Sequence, residues 1–564
     1  MEPSIRELVT KAVQEVYGVE VVFAVEQPKD LTHGDYSTNV ALILAKLTKV
    51  GPTEIAQKLV DLMSTPEVQP PGLAEISVAG IGFINFTLAK EFFSTKVREV
   101  ISKGDEWGKS SVHAGKHILV EHSSPNLFKP FHIGHVMNNA IGESIDRLAK
   151  FSGAEVKTIS FPSDISLGLA KAIFILIEKY GEDFKPTDIA ILGDAYVEGT
   201  KRYEDDESVQ SRVKEIADNL YTQNPSPEWT MYERCKSFNI EYFERITARL
   251  GSHFDDYIYE SQAGVKGKEI VLQNTPAVFT ESEGAIVYVP EEDRKDINTA
   301  VFINSQGNPT YEAKDIGLLS MKFSGEPLDF SIFITDNQQV PHFQVVLAAA
   351  HKIQSEWSEK SIHVHHGRMS FKGQKMSSRL GGVPLAETVI DTVSEEVKEK
   401  ALRDAQGLRP IDIDAIAIAA LKFSILRAAA GKDINFDPET SLSFEGDSGP
   451  YLQYSTVRAN SILTKSSFSL NTEYLTIKEW QTTEVEKLLI HFPEVVERAI
   501  QEWSPHFIVT YLLELAQAFN SWYGNTKIID DSAESPYKLA LTKAFAQTMT
   551  NGLTLLGISV PEKM

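Results

Sequence analysis

Two histidines, His132 and His135, flank Ile133 and Gly134 in the run FHIGHVMNNA at 131–140. The preceding residues, SSPNLFKP, carry two prolines and read as a loop; the following ones, with apolar Met137, Ile141, Ile145 and Leu148, have helical spacing up to Gly153. His132 and His135 therefore sit where a loop enters a helix. A helix N-terminus presents unpaired N–H groups and partial positive charge, so it attracts phosphate. Two imidazoles there can donate to phosphate oxygens as charge develops, and glycine at 134 permits close approach of a flat ligand. Alone, the four residues are equally ordinary loop and first-turn histidines.

Three further groups of residues bear on chemistry. FKGQKMSSRLGG (371–382) places Lys372, Lys375 and Arg379 among glycines and serines. Such a loop can close mobile point charges over a triphosphate, although by itself it is also a plain solvated basic loop. In YEAKDIG (311–317), Tyr311 and Asp315 are four apart and predicted to share a helix face. A phenol beside a carboxylate suits a cation, above all a guanidinium held bidentately; the bland alternative is a surface Asp and a half-buried Tyr. In IHVHH (362–366), His363 and His365 fall on one strand face, but a structural zinc site wants four ligands, often Cys, and the only cysteine, Cys235, is distant in sequence. No structural metal is expected.

These residues need a scaffold. KHILVEH reads as a short apolar strand before the histidine loop, and VKTISF as the strand after the helix. Strand, loop, helix and strand form a βαβ unit, which predicts a parallel sheet with ligands at the carboxyl ends of its strands. Strands resume at SIFITD (331–336) and IHVHHGRM (362–369), and the charged stretch 195–260 reads as a helical insertion. Residues 1 to about 100 read as a separate α+β module, with a helix over 3–17, a turn at Gly34, a helix entered near Ser37 and a strand pair in AEISVAGIGFINFTL. From about Ile411 the periodicity is that of a helical bundle.

The 564 residues suffice for about three or four domains. A single cysteine forbids an intrachain disulfide and fits a reducing compartment. The N-terminus lacks the basic-then-apolar pattern of a secretory signal, and no uncharged stretch approaches the ~20 residues of a membrane span. With 55 basic and 78 acidic residues the net charge is −23, which argues against indiscriminate nucleic-acid binding but leaves room for one basic face.

Taken together, HIGH at 132–135 and KMSSR at 375–379 resemble the two signatures of class I aminoacyl-tRNA synthetases, and the pair is far more specific than either alone. Within them the chain resembles the arginyl-tRNA synthetases over nearly its whole length. HGDYSTNVALILAK and GFINFTL are similar to that family's N-terminal additional domain. VEHSSPNLFKPFHIGH is similar to its extended first signature, LGDAYVEGTKRYEDD and YEAKDIGLL to its catalytic domain, and GPYLQYSTVRANSIL to the start of its anticodon-binding domain. LGISVPEKM is similar to its usual chain end, which implies a complete chain.

The resemblance implies a Rossmann-like α/β catalytic domain at 106–410 with a helical insertion at about 180–290. It would be flanked by an α+β tRNA-contacting domain at 1–105 and an all-α anticodon-binding domain at 411–564. It implies an arginine–tRNA ligase acting on L-arginine, ATP with Mg²⁺, and tRNA(Arg), cytoplasmic and monomeric, that needs tRNA for efficient adenylate formation. Glu121, Tyr311 and Asp315 would hold the guanidinium, and Asn126 and Gln339 the α-amino and carboxylate groups. His132, Gly134, His135, Lys375 and Met376 would meet ATP, with Lys375 and Ser378 assisting pyrophosphate departure. Phe83 and Asn85 would touch the tRNA elbow, and Tyr451, Arg458 and Tyr523 the anticodon region. Many members carry a GDWG-like run where this chain has SDIS (163–166). The alternative is a tRNA-binding paralogue without catalysis; intact signatures argue against it. A short cofactor-making nucleotidyltransferase would have no use for the terminal domains.

Overall fold

The computed structural model describes the whole chain except residues 29–32, 295, 373–383, 404–408 and 467–479. The chain packs as two compact units. One joins Met1–Trp107 with Arg458–Pro493 and Glu514–Thr550, and the other joins Gly108–Val457 with Glu494–Leu513 and Asn551–Met564.

In the first unit, the helix Glu2–Tyr17 buries Ile5, Leu8, Val9, Ala12 and Val13, one stripe at helical spacing, and ends at Gly18 with φ 63°. It covers an antiparallel sheet of β1 (Val25–Glu26), β2 (Tyr36–Thr38), β3 (Leu73–Ala79) and β4 (Phe83–Leu88) in the order β1-β2-β4-β3. The β3–β4 hairpin read from the sequence is present, but the helix expected from Ser37 begins only at Val40. Ser37 belongs instead to β2, paired with Asn85. The apolar run VALILAKL sets the helix, whereas Tyr36 and Thr38 favour a strand.

The second unit is built on five parallel strands, β12-β11-β5-β6-β7. These are β5 (His117–Glu121), β6 (Glu155–Ser160), β7 (Asp256–Tyr257), β11 (Phe330–Asp336) and β12 (Ser361–His366). Ile118, Val120, Ile332 and Ile334 on one face and Leu119 and Phe333 on the other are buried, as expected for parallel strands covered on both faces. The helix Ile133–Phe151 connects β5 to β6. It lies close because residue 142 is glycine: a Cβ there would fall 2.3 Å from the His122 ring.

Between β6 and β11 the chain forms the helices Leu167–Tyr180, Ile189–Asp205, Glu207–Thr222 and Pro227–Arg249. β7 then returns to the parallel sheet, so a sheet strand lies within the stretch read as insertion. Next comes a small antiparallel sheet of β8 (Thr280–Ser282), β9 (Ala285–Tyr288) and β10 (Ala300–Ile303), which the sequence reading did not identify. The helices Glu260–Gln273 and Tyr311–Phe323 cross at Gly267 and Gly317. A Cβ at either would lie within 2 Å of a carbonyl oxygen of the other helix. β13 (Met369–Phe371) pairs with β14 (Ile434–Phe436), and the helices Pro410–Leu426 and Gly449–Lys465 open the helical C-terminal stretch.

Candidate active site

The carboxyl ends of β5 and β11 and the start of the helix Ile133–Phe151 converge on one region. After Glu121 the chain turns sharply, with Ser123 and Phe128 at φ 57° and 63°. Asn138 pins this turn: its Oδ1 accepts from Ser123 N–H at 2.6 Å and its Nδ2 donates to the Ile334 carbonyl of β11 at 2.6 Å. Phe128 N–H donates to Asn239 Oδ1 at 2.6 Å, so the helix Pro227–Arg249 holds the loop from its other side.

The two motif histidines serve as the helix cap. Gly134 N–H donates to His132 Nδ1 at 3.1 Å, and His132 N–H donates to His135 Nδ1 at 3.0 Å. The rings stack, with centroids 3.8 Å apart, and Phe131 stacks on the far side of His135 at 4.6 Å. Burial pushes both imidazoles below the usual histidine range, His135 to about 3, and the neighbouring Lys129 adds to the effect. Both are therefore neutral near pH 7. With each Nδ1 accepting a backbone hydrogen bond, each proton must lie on Nε2. The pair thus consists of two preset neutral Nε2–H donors. A Cβ at 134 would lie 3.0 Å from the His132 ring, so the glycine first makes room for that ring.

Glu121, Asp315, Leu318, Lys322, Phe333 and Phe343 line one small cavity. Strand register sets Phe333 beside Glu121. Asp315 and Lys322 are two helical turns apart and share a face. Glu121 is ion-paired with Lys322, whose side chain is 2% exposed. Asp315 Oδ2 lies 2.5 Å from His342 Nε2. Burial opposes a charge on His342, but hydrogen bonds to Asp315 and Glu312 outweigh it and raise its pKa to about 9. Lys322, Glu312 and His342 were not singled out from the sequence: each is an isolated charge whose partner lies on another element or one turn away.

The remaining sequence-predicted residues fall as follows. Tyr311 opens its helix 61% exposed, with the Lys314 ammonium 5.0 Å from its ring centroid, while Asp315 turns inward. Tyr311 and Asp315 thus share a helix but not an equally buried face. Asn126 bridges to Ser163, and Gln339 ends the 3-10 turn after β11; both are exposed. The SDIS run supports this loop. Asp164 is fully buried and accepts from Tyr232 OH, Lys236 Nζ, Ser261 N–H and Ser261 Oγ–H at 2.7–3.1 Å. Lys375, Met376 and Ser378 lie outside the described residues. The chain just before them is fixed, since Lys372 donates its N–H to the Phe436 carbonyl and its ammonium to Asp437.

His363 is stacked on Phe333 with its Nε2 2.8 Å from Thr335 Oγ1, and His365 bonds Asn337. Both rings therefore have protein partners.

In the first unit, Phe83 and Asn85 line a surface cavity with His33, Ser37, Asn39 and Gly80. Phe83 is 38% exposed. The Arg458 guanidinium lies over the Tyr523 ring at 5.2 Å and donates to Asn520 Oδ1 at 2.5 Å. Tyr523 is 38% exposed, whereas Tyr451 is 9% exposed and its ring is covered.

Comparison with known families matches three models along the chain. Residues 3–88 match the arginyl tRNA synthetase N terminal domain, 96–437 the class I (R) tRNA synthetase catalytic domain, and 452–564 the DALR anticodon binding domain. An arginine–tRNA ligase of Treponema denticola is 30% identical over 567 residues, covering 96% of this chain and 94% of the relative. One of Oenococcus oeni is 30% identical, covering 96% and 95%. The solved arginyl-tRNA synthetase of Thermus thermophilus superposes with a TM-score of 0.80 at 25% identity, covering all of both chains. The Plasmodium falciparum enzyme shares the fold with a TM-score of 0.84 at 20% identity, covering 100% of this chain and 99% of that one. A parallel-sheet site capped by paired histidines, full-length similarity to arginine–tRNA ligases and three matching domains lead to one conclusion: the chain belongs to the arginyl-tRNA synthetases, class I ligases that use ATP to join arginine to tRNA.

Proposed function

We propose that the cavity between β5 and the helix Tyr311–Phe323 is the guanidinium pocket, and that the capped histidine turn is the phosphate side of the same site. The observation that carries this reading is that Glu121 and Asp315, from separate elements, line one cavity. A guanidinium is a planar fork of donors and matches carboxylate oxygens converging from two sides. Lysine offers a single point charge in place of the fork, and citrulline offers no charge. Tyr311 joins Asp315 and Glu121 in holding the guanidinium, and Asn126 and Gln339 hold the α-amino group and orient the carboxylate.

The arginine carboxylate attacks the α-phosphorus of ATP. The new oxygen–phosphorus bond forms as the bond to pyrophosphate breaks. The Nε2–H groups of His132 and His135 donate to phosphate oxygens as charge grows on them, and Gly134 lies beneath the nucleotide. Neither histidine acts as a base, because each is held neutral with its only lone-pair nitrogen already accepting. From the second signature, Lys375 and Met376 meet ATP, and Lys375 and Ser378 assist the departure of pyrophosphate. Mg²⁺ bound to ATP would supply neutralisation of phosphate charge beside the donors of His132 and His135. A terminal ribose hydroxyl of tRNA(Arg) then attacks the adenylate carbonyl, loses its proton and displaces AMP. Positioning and charge stabilisation carry both steps, with no covalent enzyme intermediate.

Residues 1–105 with Phe83 and Asn85 contact the tRNA elbow, 106–410 hold the chemistry, and 411–564 with Tyr451, Arg458 and Tyr523 meet the anticodon region. The protein acts as a cytoplasmic monomer. Asp315→Ala tests the pocket. Loss of one buried partner of a guanidinium removes about 3 kcal/mol, roughly a hundredfold in arginine KM, with the ATP KM unchanged. An unchanged arginine KM refutes the assignment.

A further inference from the structure

The pocket already contains cations of its own. Among the described residues, three carboxylates lie in or against it, Glu121, Glu312 and Asp315, facing two protein cations, Lys322 and His342. The balance is one negative charge, equal and opposite to one guanidinium. Each wall acid also engages its protein cation through a single oxygen: Oε2 of Glu121 with Lys322, and Oδ2 of Asp315 with His342. Asp315 Oδ1 takes no hydrogen bond from any described residue, which leaves it for a ligand.

His342 is well placed to do more than neutralise. It comes from the helix Val340–Ile353, a different element from Asp315, and reaches Asp315 at 2.5 Å and Glu312 at 3.5 Å with its two nitrogens. A planar ring held at both ends fixes the rotation of the Asp315 carboxylate, as a flexible ammonium would not. Phe343 closes the ring's other side at 5.0 Å, near perpendicular. The charged groups facing the imidazole are Glu312 and Asp315, and its charge is felt in turn by the His363 ring. Those two acids keep it protonated well above neutral pH.

Resting on the reading of Asp315 as a guanidinium ligand, we propose that His342 is a positioning residue for arginine: as an imidazolium braced between Glu312 and Asp315, it turns Asp315 Oδ1 into the pocket and trims the pocket's charge to that of one guanidinium. Without it, Asp315 is free to rotate and the pocket carries an excess charge that attracts counter-ions in competition with arginine. His342 touches no reacting atom, so its loss should appear in arginine KM and not in ATP KM or kcat.

The test is steady-state aminoacylation by the full-length enzyme at neutral pH with the variants His342→Ala, His342→Gln, Asp315→Asn and the pair His342→Ala/Asp315→Asn. His342→Ala should raise arginine KM about tenfold, the equivalent of about 1.4 kcal/mol, with kcat and ATP KM within twofold. His342→Gln keeps a donor to Asp315 without the charge and should recover part of the loss. In the Asp315→Asn background, adding His342→Ala should change arginine KM by less than twofold, because there is no carboxylate left to orient. A role confined to packing would instead lower thermal stability and act equally in both backgrounds. If Asp315→Asn raises arginine KM and His342→Ala does not, or the two effects add, the proposal falls while the pocket assignment stands. If Asp315→Asn leaves arginine KM unchanged, the pocket assignment itself falls and the role of His342 with it. Should His342→Ala not fold, the Gln variant alone and in the double carries the same comparison.

Discussion

The capped histidine turn separates two functions of one ring, and substitutions can remove them one at a time. At His132, Nδ1 accepts from Gly134 N–H at 3.1 Å, while Nε2 carries the proton proposed to meet phosphate. Asparagine places its Oδ1 near the position of Nδ1, so His132→Asn keeps the cap, and Asn is among the best N-cap residues. It has no atom at Nε2, so it loses the donor. Glutamine reaches the Nε2 position with an amide N–H but leaves Gly134 without its acceptor. For His132→Asn, stability should stay within about 0.5 kcal/mol of wild type, while loss of one preorganised donor to developing charge should slow adenylate formation roughly a hundredfold or more. His132→Gln should lose about 1 kcal/mol of stability through the cap; on a chain of this size that shifts the thermal midpoint by less than about 2 °C. It should retain activity within roughly tenfold of wild type. The assays are arginine-dependent pyrophosphate exchange with tRNA present and thermal melting of the same samples. An Asn variant as active as wild type, or more active than the Gln variant, refutes the assignment of Nε2–H as the phosphate donor.

Further outcomes follow from buried titrating groups. His122 and His135 are pushed to about 4 and about 3, chiefly by burial. Below pH 6.5 the unfolded chain takes up these protons and the folded one does not, so stability present above pH 6.5 is lost as pH falls toward 4, on the order of 3 kcal/mol for each ring. The urea midpoint should drop steeply from pH 6.5 to 4.5, and His122→Gln should flatten the fall; a midpoint insensitive to pH in that window contradicts the burial argument. His342, raised to about 9, acts in a different window: its contribution is complete below pH 6.5 and is lost as pH climbs through 9. Lys422 is fully buried, donates to the Gly557 carbonyl at 2.7 Å, and is lowered to about 8 by burial, with Glu143 opposing. Its folded pKa lies below the unfolded 10.5, so stability should rise between pH 8 and 10.5, and Lys422→Met should remove that alkaline gain relative to wild type. Equal pH dependence in the two proteins refutes this.

The histidine turn was legible because its information is local: a loop, a glycine and a helical repeat lie within some twenty residues, and a parallel βαβ unit follows from short-range pattern. What the sequence hid was the orientation of the rings. That each Nδ1 is taken by a backbone N–H depends on backbone geometry that no spacing encodes. Asp315 was legible from its spacing to Tyr311 as a cation ligand, Glu121 only through resemblance, and the cavity's cations were not legible at all. Lys322 lies two turns from Asp315 and reads as a solvated helix charge; only the close approach of the helix to β5 buries it. His342 follows Pro341 at the start of an unremarkable helix, and its partners are set by how two helices meet. Ser37 and the β8–β10 sheet escaped because strands of three or four residues carry too few alternations to stand out. Asp164 in SDIS is a polar residue in a loop by sequence, yet a fully buried acceptor for three residues in the fold.

Selection of arginine by its guanidinium, as proposed above, and its attachment to tRNA can be tested together. The most direct measurement is charging of total tRNA by the purified full-length protein with ATP and each of the twenty amino acids in turn, alongside pyrophosphate exchange with and without tRNA. Esterification of arginine alone, onto tRNA(Arg), is expected, with exchange strongly stimulated by tRNA and no charging with lysine or citrulline. Attachment of any other amino acid, or tRNA binding without charging, would contradict it.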